Sequence, residues 1–331
     1  MKLNLTPLKD IFIKSFSVSM ELFKIMIPIL ILVKLLKELG MIGYLALPLK
    51  PIMGLVGLPA EMGLVWATAI LTNMYSGIVV FLSLVQDHPV NTAQATIMGV
   101  LLLIAHGLPV ESGIARKAGP KFIFQCIARI VGALSLGMIL NYVYKTTGTL
   151  QEPAKILIQP QAEQAVDPTL MQWALNEVQN LGYLYLIILG LLIMMYLLEI
   201  SGLIELLNKL LRPVLKLIGI GPKASAITVI GLTLGLSYGG GLIIHESQSG
   251  NVDRKDVFYS LTLMGLCHSI VEDTLLMIMI GGHVSGLLWG RLLFSLVAIA
   301  ILVKICTKLP AKFTDNFLWG RPMQTVSKNE V

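Results

Sequence analysis

Two histidines stand at matching places in long apolar runs, His106 in AHGLPVESG and His268 in CHSIVEDT. Carboxylates follow each within five residues, Glu111 in the first run and Glu272 and Asp273 in the second. An arginine lies 23 residues beyond each histidine, Arg129 and Arg291. Imidazole changes charge near neutral pH, and together with carboxylate it also makes a mixed nitrogen and oxygen donor set for a transition ion. Ionisable groups are costly in an apolar surround, so their retention in matched positions points to solute contact, cation handling or pairing with one another. For Glu111, Glu272 and Asp273, a structural ion pair with Arg129 and Arg291 is as good an expectation as ligand contact.

A second set of polar residues interrupts two other apolar runs. TNMYSG offers Asn73, Tyr75 and Ser76, and SYGGG offers Ser237 and Tyr238, where three consecutive glycines should unwind a helix. Ser112 joins the set from the first histidine run. His88, His245 and His283 fall near expected surfaces and carry a weaker claim.

These residues are positioned by elements that must live in lipid. Hydrophobic residues make up 55% of the 331-residue chain and charged residues 13%, and mean hydropathy is +0.80. A bilayer core of about 30 Å needs roughly 20 apolar residues per helix. Residues 22–38, 62–84, 122–144, 181–200, 224–245 and 286–304 meet that need, which predicts six spans. The first lacks a small-x-small cleavage site and is expected to stay. Three cysteines, Cys126, Cys267 and Cys306, sit in apolar segments without metal-site or disulfide spacing. No Walker loop, dinucleotide fingerprint, nucleophile elbow or zinc-protease motif occurs, and no convincing nucleophile and base pair, so neither an enzyme nor a resident cofactor is expected.

The chain repeats itself. A shift of 162 residues, without a gap, lays Gly40 on Gly202, Pro51 on Pro213, Gly57 on Gly219, Gly77 on Gly239, His106 on His268, Gly119 on Gly281 and Arg129 on Arg291. The formal charge of +6 gathers at particular span ends, as orientation in a membrane requires, so no nucleic-acid partner is inferred. The turn with Arg116, Lys117 and Lys121 is basic, whereas its match, residues 278–283, has neither Lys nor Arg. Opposite bias in matched loops predicts an inverted repeat, an odd number of spans per copy and both termini in the cytoplasm. The expected organisation is an amphipathic arm (1–21), a first unit (22–144), a polar outer linker (145–180), a second unit (181–305) and a cytoplasmic tail (306–331). Each unit is read as three full spans, an interfacial helix (41–58, 203–220) and a re-entrant hairpin (93–118, 255–280), in an all-α polytopic membrane protein.

The motifs AHGLPVESG and CHSIVEDT, with the duplicated layout, resemble the gate-domain, or nucleoside recognition domain, family over nearly all of residues 22–305. Relatives of that domain occur in concentrative nucleoside transporters, in the membrane part of bacterial ferrous-iron transporters and in the spore maturation proteins A and B. The resemblance implies a membrane core with paired hairpins and substrate at their tips. The glutamine, threonine and glutamate set that reads a base in the nucleoside transporters is absent from both tips here, so the resemblance carries no substrate.

The leading expectation is therefore a secondary transporter or exporter of a small polar solute, nucleoside-like or otherwise, working in the plasma (inner) membrane by alternating access with proton or sodium coupling. The solute and the bilayer are its expected partners, and a homo-oligomer is compatible with the sequence. One alternative is a divalent-metal permease whose ligands would be His106, Glu111, His268, Glu272 and Asp273. Another is a structural or signalling membrane partner.

Overall fold

The computed structural model describes residues 6–158 and 169–320, together with all but a few side chains among them; the centre of the linker between the two units and both chain ends lie outside the described residues. Its elements in chain order are α1 (Thr6–Glu38), α2 (Ile42–Ala46), a 3-10 turn (Leu47–Leu49), α3 (Lys50–Leu55), α4 (Met62–Leu71), α5 (Met74–Leu84), α6 (Thr92–Ile104), α7 (Leu108–Ala118) and α8 (Phe122–Thr147). There follow α9 (Leu170–Ile200), α10 (Leu203–Leu217), α11 (Pro222–Leu234), α12 (Leu236–Gln248), α13 (Arg254–Leu266), α14 (Glu272–Met279), a π turn (Ser285–Gly290), α15 (Arg291–Cys306) and α16 (Ala311–Phe317). Among the described residues, β pairing is confined to two isolated bridges.

The 162-residue shift reappears in the element boundaries. It carries the end of α1 onto that of α9, the end of α3 onto that of α10, and both ends of α6 onto those of α13. It also matches the left-handed backbone positions Gly40 with Gly202, Gly57 with Gly219, Gly107 with Ser269 and Gly119 with Gly281. The duplication thus extends from residue types to backbone conformation.

Four helices are long and apolar enough to cross a membrane: Lys9–Glu38, Phe122–Thr147, Leu170–Leu198 and Ser285–Cys306. The pair α6 and α7, bent by 41°, makes a fifth if read as one span. The large apolar side chains exposed on α1, α8, α9 and α15, such as Ile31, Ile127, Leu186 and Leu293, face outward as a lipid-contacting surface requires. These features make the chain a polytopic helical membrane protein.

The broken elements depart from expectation in an informative way, because the hairpin and the interrupted span exchange places. At the linker end of the molecule, Asn91 Nδ2 donates to Gln151 Oε1 (3.1 Å) and Thr92 N to Glu152 O (2.9 Å), so α6 begins where α8 finishes. At the tail end, Ser247 Oγ donates to Ala118 O (2.7 Å), Gly320 N to Gly119 O (2.9 Å) and Lys121 N to Leu318 O (2.9 Å), so α7 finishes where α8 begins. Residues 92–118 therefore run from one end to the other as a broken span. In the second copy, Asp256 in the first turn of α13 lies against Gly221, while Met279 O at the end of α14 accepts from Leu157 N (2.8 Å).

The true hairpins are α4 with α5 and α11 with α12. His88, just after α5, lies 3.8 Å from Glu61, just before α4. The two arms pack so closely that a Cβ on Gly77 would stand 2.8 Å from that of Ala69. Length misled here: 23 apolar residues suffice to cross, but the chain turns back at Thr72 and Asn73. Thr72 Oγ1 returns to Thr68 O (2.7 Å), and Asn73 Oδ1 accepts from Ser76 N (2.9 Å) to cap the returning arm. In the second copy the turn falls at Gly235 (φ +94), the match of Asn73. The expected unwinding at Gly239, Gly240 and Gly241 does not occur, since all three are helical within α12. Gly239 serves close packing instead, because its Cβ would stand 2.7 Å from the backbone N of Gly231. The expected interfacial helix at 41–58 is likewise divided into α2, the 3-10 turn and α3 by Pro48 and Pro51, while its match α10 is continuous despite Pro213.

Two glycines of α12 separate packing from propensity. Gly239→Ala is expected to lower the apparent unfolding temperature in detergent by several degrees, since the new methyl meets backbone that cannot move aside. Gly241→Ala, which meets nothing within 4 Å, is expected to leave it unchanged or raise stability by roughly 0.5–1 kcal/mol through helix propensity.

Candidate functional site

Each broken span is interrupted where a hairpin tip meets it. Gly107 N donates to Ala69 O (2.8 Å), and a Cβ on Gly107 would lie 3.5 Å from Thr72 O. In the second copy Ile270 N donates to Leu232 O (2.9 Å), and a Cβ on Gly235 would lie 2.8 Å from Ser269 Oγ. The freed backbone groups at each interruption thereby find partners inside the protein, as lipid requires.

The histidines occupy the two interruptions. His106 is 7% exposed and His268 4%, and their rings lie 5.3 Å apart. His106 Nδ1 lies 2.7 Å from Leu102 O and His268 Nδ1 2.8 Å from Met264 O, each at the end of the preceding half-helix. A carbonyl only accepts, so Nδ1 carries the proton in both rings and Nε2 is left to face the centre. There His106 Nε2 is 3.0 Å, and His268 Nε2 3.7 Å, from the same atom, Glu111 Oε1.

Arg129 fixes that carboxylate. It pairs through Nη1 with Glu111 Oε2, donates from Nε to Ile104 O (2.7 Å) and from Nη2 to His106 O (2.9 Å), and is 2% exposed. One side chain on α8 therefore satisfies the last carbonyl of α6 and one in the break beyond it, and neutralises an acid in the first turn of α7. Phe122–Thr147 delivers it because α8 runs beside both α6 and α13: Gln125 Nε2 donates to Thr262 Oγ1 (3.0 Å), and a Cβ on Gly265 would stand 3.2 Å from Arg129 Cδ.

The second copy lacks this closure. Asp273 matches Glu111 but is one methylene shorter, and no ion pair joins it to Arg291 among the described residues. Arg291 is fully buried, donates from Nη2 to Thr274 Oγ1 (3.4 Å) and lies within hydrogen-bonding reach of the Cys267 sulfur. Of the expected pair of arginine bridges, one is present.

The remaining expected residues divide by location. Tyr75 lies close to Glu272 and Asp273, which links the first hairpin tip to the second interruption. Asn73 and Ser76 bond to each other at the start of α5, and Ser112 accepts from the Cys126 thiol (3.3 Å). The side chains of Ser237 and Tyr238 lie outside those described. His245 is exposed at the surface, and His283 bonds Ser285 at the linker end (2.9 Å). Reading the sequence missed the orienting carbonyls of Leu102 and Met264, which no side-chain pattern signals. It also missed Gln125 and Thr262, two polar residues at apolar-run positions that invited pairing.

In a cycle on the buried ion pair, Glu111→Gln strands the Arg129 charge at an expected cost of roughly 3–5 kcal/mol, measured as a large fall in apparent unfolding temperature. Adding Arg129→Gln to it is expected to lower stability little further, because the partners act as a unit.

No family model matches the chain. Over 278 residues, 83% of this chain and 87% of the relative, it is 29% identical to a protein of Bacillus subtilis (strain 168) named as an uncharacterized membrane protein, YvoD. That likeness and the four long apolar helices agree on a membrane location.

Proposed function

We propose that this chain is a secondary transporter of a small polar solute in the plasma membrane, built as an inverted repeat and working by alternating access around the His106, Glu111 and His268 cluster. The observation that carries the reading is that one buried carboxylate is shared between histidines of both repeats, 3.0 and 3.7 Å away. An unprotonated Nε2 and a carboxylate oxygen both present lone pairs, so a positive charge between them, a proton on the imidazole or a bound cation, would hold the two broken spans together. A cation that joins the halves when bound and frees them when lost is a coupling element.

Inversion is supported by the ends of matched elements. The α4 and α5 hairpin opens at the linker end, beside Glu61 and His88, whereas α11 and α12 open at the tail end, beside Ala118. Successive contacts of α8 with α13, Phe124 with Phe258 and then Gln125 with Thr262, ascend together, while Arg129 near the start of α8 meets the end of α6. Matched α6 and α13 thus run in opposite senses. Two half-depth hairpins entering from opposite sides, each meeting a broken span, form the arrangement in which a midplane site can open to either side. A cytoplasmic tail end, with both chain termini, is supported by Arg116, Lys117, Lys121, Lys223 and Lys312 in the segments around it.

Uptake by proteoliposomes of radiolabelled nucleosides and amino acids tests the reading. Wild-type protein is expected to accumulate at least one solute, and His106→Ala with His268→Ala to abolish that uptake while the protein stays monodisperse. Wild-type rates in the double variant would remove the cluster from the mechanism.

A further inference from the structure

The cation that unites the two spans has a chemical identity that the donor set constrains. We propose that His106 Nε2, His268 Nε2 and Glu111 Oε1 form a three-ligand site for a divalent transition ion, with a further coordination position left for water or solute. The site deepens the transport reading by naming its cation, yet it can be measured on purified protein without any transport.

All three ligand atoms lie within 4.8 Å of one another. Bonds of about 2.1 Å in a tetrahedral shell put ligand atoms roughly 3.4 Å apart. The 3.0 Å and 3.7 Å separations from Glu111 Oε1 bracket that value. Small side-chain rotations complete the shell.

The surroundings are those a metal ligand needs. Each imidazole donates its other nitrogen to a backbone carbonyl, Leu102 O or Met264 O, which fixes tautomer and ring plane. Arg129 holds the second oxygen of Glu111, leaving Oε1 free to bind, and is itself tied to Ile104 O and His106 O. Among the described residues no fourth histidine, cysteine or carboxylate joins the group, as suits a site that must exchange its occupant.

The donor types narrow the ion. Two imidazoles and one carboxylate, without thiolate, match zinc, cobalt, iron or manganese better than the all-oxygen shells of calcium or magnesium.

The test is titration of chelator-treated protein in detergent with cobalt(II) chloride, read by visible absorption, and with zinc chloride, read by equilibrium metal content. One ion per chain is expected. His268→Ala should weaken binding by at least tenfold, and His245→Ala should leave it unchanged. Where His268→Ala fails to fold, His106→Cys keeps the proposal exposed, since a thiolate ligand must add a sulfur-to-cobalt charge-transfer band. Wild-type protein that takes up no ion, or binding that neither site variant alters, overturns the proposal. Solute uptake by a protein that binds no ion would overturn the ion site alone and leave the transporter standing; a bound ion in a protein that moves no solute would do the reverse.

Discussion

A broken helix in lipid exposes carbonyl and amide groups that have no solvent to meet, and everything at the centre of this molecule answers that constraint. Arg129 answers it most directly. Its guanidinium takes up the last carbonyl of α6, a carbonyl of the break and the carboxylate of α7 at once, so the interruption that creates a site also becomes its anchor. Without that cation the acid between the two histidines has no reason to remain charged at this depth. The hairpin tips complete the accounting, since Ala69 O and Leu232 O each accept an amide from a broken span.

The two copies solve the same problem unequally. In the first, a glutamate reaches its arginine; in the second, no ion pair joins the aspartate to Arg291 among the described residues, and the buried guanidinium meets the Thr274 hydroxyl and the Cys267 sulfur instead. Equal backbones thus carry unequal polar closure. Gly107 and Ser269 make the contrast local, since both have left-handed backbone, at φ +53 and φ +45, but only glycine adopts it without strain.

Much of the plan was legible in the residues. The ungapped 162-residue match foretold element boundaries as well as chemistry, and pairing His106 with His268 was enough to find the shared centre. What misled was treating length as topology. A largely apolar run of 23 residues from 62 to 84 could cross the bilayer, so the fold-back at Thr72 and Asn73 was hidden; its signal was the small pair Ala69 and Gly77, eight residues apart, which lets two arms touch. HGLPVES, by contrast, looked like a turn, yet proline within the first turn of α7 suits a helix start, and the chain bends there by 41° and continues. Glycines 239–241 misled for the same reason: glycine marks close approach as often as it marks a break. The choice of one arginine bridge rather than two depended on a single methylene, a difference that pattern alone does not weigh.

The central claim is that the interruptions of the two repeats meet, imidazole against imidazole, inside the membrane. Cysteines placed by His106→Cys and His268→Cys in a chain freed of Cys126, Cys267 and Cys306, with a protease site inserted in the outer linker, test it most directly. A mercuric ion or a short bis-thiol reagent should then hold the two halves together after cleavage in native membranes, while the pair His106→Cys and His245→Cys should let them part. Halves that separate with both pairs would contradict the account.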